Sequence, residues 1–202
     1  PATNPTGGIF VHYTSDNKNF LKELVRTISA KQPWVKINIV VSNSTENMMS
    51  FREDFKDTPE LVNNKNVNII PVSCDASTIR WAQDSYQIGQ LGRKSAIYKL
   101  PYDRGIKDLA REIGEACGIP VIYHPQLATG EYGSDGIMGG NLEAMPGGFL
   151  IVGENMPKTI VNNLKNRGNE VLPLDTSFLA VGHVDELFSV AKTGGGKCDF
   201  VL

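Results

Sequence analysis

Three short stretches carry residue types that can do chemistry. The first is Gly182-His183-Val184-Asp185-Glu186, followed by the apolar run Leu187-Phe188-Ser189-Val190. Val184 to Val190 has the composition of a strand, and strand side chains alternate faces, so His183 and Asp185 are expected to point the same way. Gly182 lets a backbone or ligand approach closely. An imidazole beside a carboxylate suits general acid–base work next to a cationic group. The same pattern also fits a histidine and an aspartate satisfied at a strand edge. The second stretch is Arg80-Trp81-Ala82-Gln83-Asp84-Ser85. Here Trp81 offers a flat wall to an aliphatic stem or a cation beside Asp84. An Arg80–Asp84 ion pair, with Trp81 as packing, is the structural alternative. The third is Gly139-Gly140-Asn141-Leu142-Glu143. Glycines permit tight backbone geometry, and carbonyls beside a carboxylate are ligands for hard cations. A β-bulge or turn with a surface acid accounts for the same residues.

The elements that must position these stretches alternate between strand and helix. Strands are expected at Gly8–Tyr13, Val35–Val41, Val67–Val72, Tyr86–Ile88 and Ser95–Leu100. Helices are expected from a cap at Asp16 or Asn17 to about Ala30, with Phe20, Leu21, Leu24, Val25 and Ile28 on one face, and from Ser44 or Thr45 through Phe55. Ile106–Cys117 reads as an amphipathic helix stopped by Gly118, with a strand Ile119–Tyr123 after it. The glycine-rich loop Gly133–Gly140 leads to a strand pair, Leu142–Met145 and Phe149–Val152, turned at Pro146-Gly147-Gly148. A helix Pro157–Lys165 and a short strand at Val171-Leu172 follow. Val184–Val190 is then expected to pair with Lys197–Leu202. The class is α/β, with paired strands between helices and a strand-pair–helix–strand unit recurring at module scale.

Composition excludes several functions. The chain has 202 residues, 41% of them hydrophobic, and a formal net charge of -2. That suits one domain with a real core and gives no basic footprint for nucleic acid or an anionic membrane. No run of 18 apolar residues marks a spanning helix. Cys74, Cys117 and Cys198 are widely spaced, which argues against a disulfide framework or zinc site and for a reducing, cytoplasmic setting. Residues 1–8 read as a linker ahead of a domain over 9–202. The chain ends inside the strand Lys197–Leu202, so a fragment of a longer protein is expected.

Taken together and in this order, R-W-x-Q-D, G-N-L-E and V-G-H-V-D-E resemble the catalytic domain of the protein-arginine deiminases, within the guanidino-group-modifying superfamily. Arg104-Gly105-Ile106-Lys107 adds a fourth match, and the resemblance runs from about Val67 to Leu202. It implies a five-module α/β propeller of strand-strand-helix-strand units, of which this chain holds the earlier part. It implies an arginine-containing protein or peptide as substrate, converted to citrulline and ammonia. Asp84 and Asp185 would clamp the guanidinium, and His183 would serve as acid and then base. Trp81 and Val181 would line the slot for the arginine stem, and Arg104 would hold substrate carbonyls. The alternatives are an inactive guanidinium- or peptide-binding module and a deiminase of a small guanidino compound.

The departures from that pattern are specific. None of the three cysteines matches the family's nucleophile, so the thiol is expected to be absent from this chain. Calcium is implied at Gln83, Gln87, Glu143 and the carbonyls of Gly139 and Leu142. Gln87 stands where the family pattern has an acid, so a weakened site is expected. Ser85 and Lys99 stand where a second calcium site needs acids. His12 and His124 match nothing and are read as satisfied or surface residues.

Overall fold

The computed structural model describes residues 7–62, 64–74, 82–91, 94–102, 108–127, 135–145, 149–187, 189–192 and 198–201; for 62, 82, 91, 135, 189–192 and 198–201 it describes the backbone alone. The chain forms two compact units. One is drawn from Pro5–Ala82 and Arg104–Ile119, the other from Gln83–Asp103 and Pro120–Leu202.

The first unit is built on a parallel sheet of β1 (Gly8–His12), β2 (Lys36–Ser42) and β3 (Val67–Val72), in that order. Parallel neighbours need a crossover, and helices supply it. These are α1 (Lys18–Lys31) between β1 and β2, then α2 (Thr45–Phe55) and α3 (Pro59–Val62) between β2 and β3. The central strand explains its sequence: Ile37 to Ser42 are all buried. Ile37, Ile39 and Val41 pack with Leu21 and Val25 of α1, Phe51 and Phe55 of α2, and Tyr13. Burying each phenylalanine contributes about 2–3 kcal/mol. Asn38 is satisfied across the sheet, donating to Ile9 O at 3.2 Å and accepting from Asn68 at 3.0 Å. Phe20 departs from the expected apolar face and is exposed. It precedes Leu21 by one residue, about 100° around the helix, which turns it off the stripe.

The second unit contains two strand pairs, each extended by a parallel third strand. The short helix α4 (Ala82–Ser85) runs straight into β4 (Tyr86–Leu91), which pairs antiparallel with β5 (Lys94–Lys99). The chain then passes through α5 (Leu109–Cys117), which belongs to the first unit and packs on β3 there, with Glu112 accepting from Ser73 N at 2.6 Å. Gly118, at φ 64°, closes α5 in the left-handed region that favours glycine. Next, β6 (Val121–Tyr123) lies parallel to β5. The pattern repeats with β7 (Leu142–Ala144) antiparallel to β8 (Phe149–Gly153), α6 (Lys158–Asn166), and β9 (Glu170–Leu174) parallel to β8. Ile160 and Leu164 of α6 join Leu142, Val152 and Val171 in one core.

The expected strand Val184–Val190 does not form. Val184–Glu186 is a 3₁₀ turn, and Ser189–Lys192 (β10) is extended, paired antiparallel with β11 (Cys198–Val201). The turn wins because Glu186 reaches back: its Oε1 accepts from His183 N at 2.9 Å, satisfying a donor at the turn's start. His183 therefore sits at the head of a turn, and Cys198 is not in a strand paired with it.

Candidate active site

The second unit gathers three segments around the adjacent glycines Gly139 and Gly140. They lie in a buried 3₁₀ turn, Gly139–Asn141, that opens β7. A Cβ on Gly139 would collide with the backbone carbonyl of Gln83, so the turn rests directly on α4. A Cβ on Gly140 would lie 2.5 Å from Asp185 Oδ2 and 2.7 Å from His183 Nδ1. One glycine thus admits the Asp84 segment and the other admits the His183–Asp185 segment. The two expected partners do converge, though by a turn packed on Gly140 rather than by strand alternation.

A buried amide network supports this convergence. Asn141, fully buried, donates to Gly136 O at 3.2 Å and to Asn155 Oδ1 at 2.7 Å, and accepts from Gly153 N at 3.0 Å. Asn155 in turn donates to Gly182 O at 3.3 Å, and Thr176 Oγ1 donates to the same carbonyl at 2.7 Å. Gly182 has φ 82°, a conformation costly for other residues, and it aims the chain into His183. Asn155 and Thr176 were not singled out from sequence, whereas Gly140 and Asn141 lay inside the G-N-L-E stretch without these roles.

Asp84 and His183 are both buried, at 8% and 6% exposure. Asp185 is exposed as a residue, yet its carboxylate faces Gly140, and desolvation pushes its pKa up. The charge of His183 opposes that rise, while those of Glu186 and Asp84 add to it. Glu143 is raised too, first by burial and further by the charge of Asp185, against a lowering hydrogen bond from Gln83 Nε2 at 3.0 Å. The charge of Asp84 thus acts on Asp185, and that of Asp185 on Glu143, beside an imidazole. Such an arrangement favours a cation.

Of the expected stem-slot residues, Val181 is 46% exposed. It lines a pocket of about 220 Å³ with Glu154, Asn155, Asp175, Thr176 and Gly182; Asp84, His183 and Asp185 are not in that lining. Trp81 and Arg104 lie outside the described residues, as does Arg80. Cys74 and Cys117 belong to the first unit, and burial pushes the Cys117 thiol up, against the pull of Lys36. The side chain of Cys198 lies outside the description. His12 is buried, and no helix among the described residues is long and apolar enough to cross a membrane.

The residues implied for calcium hydrogen-bond one another in this structure. Gln87 Nε2 donates to Gly139 O at 2.7 Å and to Leu142 O at 3.4 Å, so both carbonyls face an N–H donor. With no cation between them the amide presents its N–H to the carbonyls, since its oxygen would otherwise face two carbonyl oxygens. Gln83 likewise turns its donor to Glu143. Among the described residues no group of three or more His, Cys, Asp or Glu can hold a metal ion.

The fold is similar to part of the fold of agmatine deiminase. A solved structure of C. jejuni agmatine deiminase superposes with a TM-score of 0.57 at 9% identity, over 87% of this chain and 54% of that one. A cysteine-to-serine variant of that enzyme with substrate bound gives 0.58 at 12% identity, over 93% and 60%. The chain therefore spans little more than half the length of these structures. No family model and no curated protein sequence matches it.

Proposed function

We propose that this chain carries the guanidinium-binding, acid–base part of a deiminase, an enzyme that hydrolyses a guanidino group with release of ammonia. The observation that supports this is the convergence on Gly140 of His183 and Asp185, with the charge of Asp84 acting on Asp185. A guanidinium is planar and always charged, and its N–H edges suit two carboxylates at once. Between Asp84 and Asp185 it would offset their repulsion, which adds to the rise that desolvation gives Asp185. His183 protonates the departing ammonia and later takes a proton from the attacking water. The covalent step comes first: a thiolate attacks the guanidinium carbon, the adduct expels the ammonia that His183 protonates, and the water that His183 deprotonates then displaces the thiolate. We assign none of this chain's cysteines to the attack.

The likeness to agmatine deiminase favours a small guanidino compound as substrate. Protein-bound arginine is the competing reading, carried by the motif resemblance, with Trp81, Arg104 and Val181 holding the substrate. Titration of the chain with agmatine, free arginine and a blocked arginine peptide, followed through the His183 imidazole resonances, tests both. Guanidines are expected to bind, lysine analogues not, and Asp185→Asn is expected to weaken binding at least about tenfold, as loss of a charge-assisted pair implies. The preferred guanidine names the substrate class. Guanidine binding that is absent, or indifferent to Asp185→Asn, overturns the reading.

A further inference from the structure

The place where a cation is implied near this site is served by the chain's own N–H donor. Gln87, on β4, bridges the carbonyls of Gly139 and Leu142 at either end of the 3₁₀ turn. Lys99, buried on β5, donates from Nζ to Leu100 O at 2.7 Å. Leu100 N in turn donates to Ser85 O at 3.0 Å, tying the end of β5 to the end of α4. A hard cation holds such carbonyls by positive charge; an amide or ammonium group holds them by donated protons, with geometry supplied by the strand beneath.

We infer that Gln87 acts as a built-in substitute for a bound cation, cross-linking the Gly139–Leu142 turn to β4. The order of the Gly139–Glu143 segment is then independent of calcium. A calcium ion entering between Gly139 O and Leu142 O would have to displace the Gln87 amide and gain no carboxylate at that position. This inference uses no substrate and stands or falls apart from the deiminase reading.

Amide exchange at Asn141 and Leu142 reports on it, since these N–H groups bond Met138 O and Gly139 O within the turn. In the unaltered chain their protection should be the same in chelator and in millimolar calcium. Gln87→Glu removes the donor and adds the missing charge. Its turn should exchange about tenfold faster in chelator and regain protection as calcium is added. Gln87→Met, close in size but without a donor, should exchange faster under both conditions, and it carries the test should the charged variant fail to fold. Calcium-dependent protection in the unaltered chain overturns the inference. So does a Gln87→Met turn as protected as before.

Discussion

Gly140 lies directly against both His183 and Asp185, so close that a methyl group there would stand 2.5 Å from one carboxylate oxygen of Asp185 and 2.7 Å from Nδ1 of His183. Both neighbours are the far ends of side chains, which can swing aside. Gly140→Ala should therefore fold but splay the pair. Guanidinium binding is expected to fall by about tenfold or more, with circular dichroism unchanged. Gly139→Ala is the contrast, because its added Cβ meets the rigid backbone of Gln83, and it should lose stability outright. Equal behaviour of the two variants in a denaturant titration would contradict this account of the paired glycines.

The carbonyl of Gly182 depends on Thr176 and Asn155 as donors. Thr176→Val keeps the shape of a buried residue and removes the shorter of the two bonds. Urea denaturation should register a loss of about 1–3 kcal/mol, the cost of a buried acceptor losing a partner. Thr176→Ser keeps the donor and should restore most of it.

Asp185 makes stability depend on pH with a definite sign. Its pKa is raised in the folded state by desolvation, against the pull of His183, and further by Glu186 and Asp84. A group raised on folding stabilises fully below its unfolded value and loses that contribution as pH rises through the folded value. Asp185→Asn should therefore flatten the fall in stability between the ordinary carboxylate range and neutrality, leaving the variant more stable than the parent at neutral pH. Denaturation midpoints at successive pH values measure the slope. Glu143→Gln should act in the same direction, since burial and the charge of Asp185 raise that group too.

In the first unit, Asp54 accepts from Tyr13 Oη at 2.7 Å and pairs with Lys18 at 3.0 Å. Burial alone would raise the Asp54 carboxyl, but those partners win and its pKa is lowered. Its stabilising contribution is present above the unfolded value and lost as pH falls through the folded one. Asp54→Ala also leaves the core Tyr13 hydroxyl without its acceptor, and should cost about 1.5–3 kcal/mol in thermal or urea denaturation. A neutral result would make the Asp54 contacts incidental.

The α/β class, most strands and the helix faces were legible in sequence because they depend on local periodicity and on stop signals such as Gly118. The strand-pair–helix–strand unit, drawn from the same signals, appears in β7, β8, α6 and β9. Local reading failed at Val184–Val190, where β-branched composition pointed to a strand but the Glu186 side chain captured the His183 amide and closed a turn. That choice turns on one side-chain hydrogen bond, which composition does not reveal. The three chemistry-bearing stretches were visible as residue types in order. Their convergence was not, because it rests on two glycines that let distant backbone segments touch and on Asn141, Asn155 and Thr176, whose partners lie far along the chain. The sequence by itself determined which carboxylates, imidazole and amides are present. The tertiary structure alone decided that Gln87 turns its N–H to the carbonyls of Gly139 and Leu142, since the direction of an amide is set by the acceptors that packing places around it.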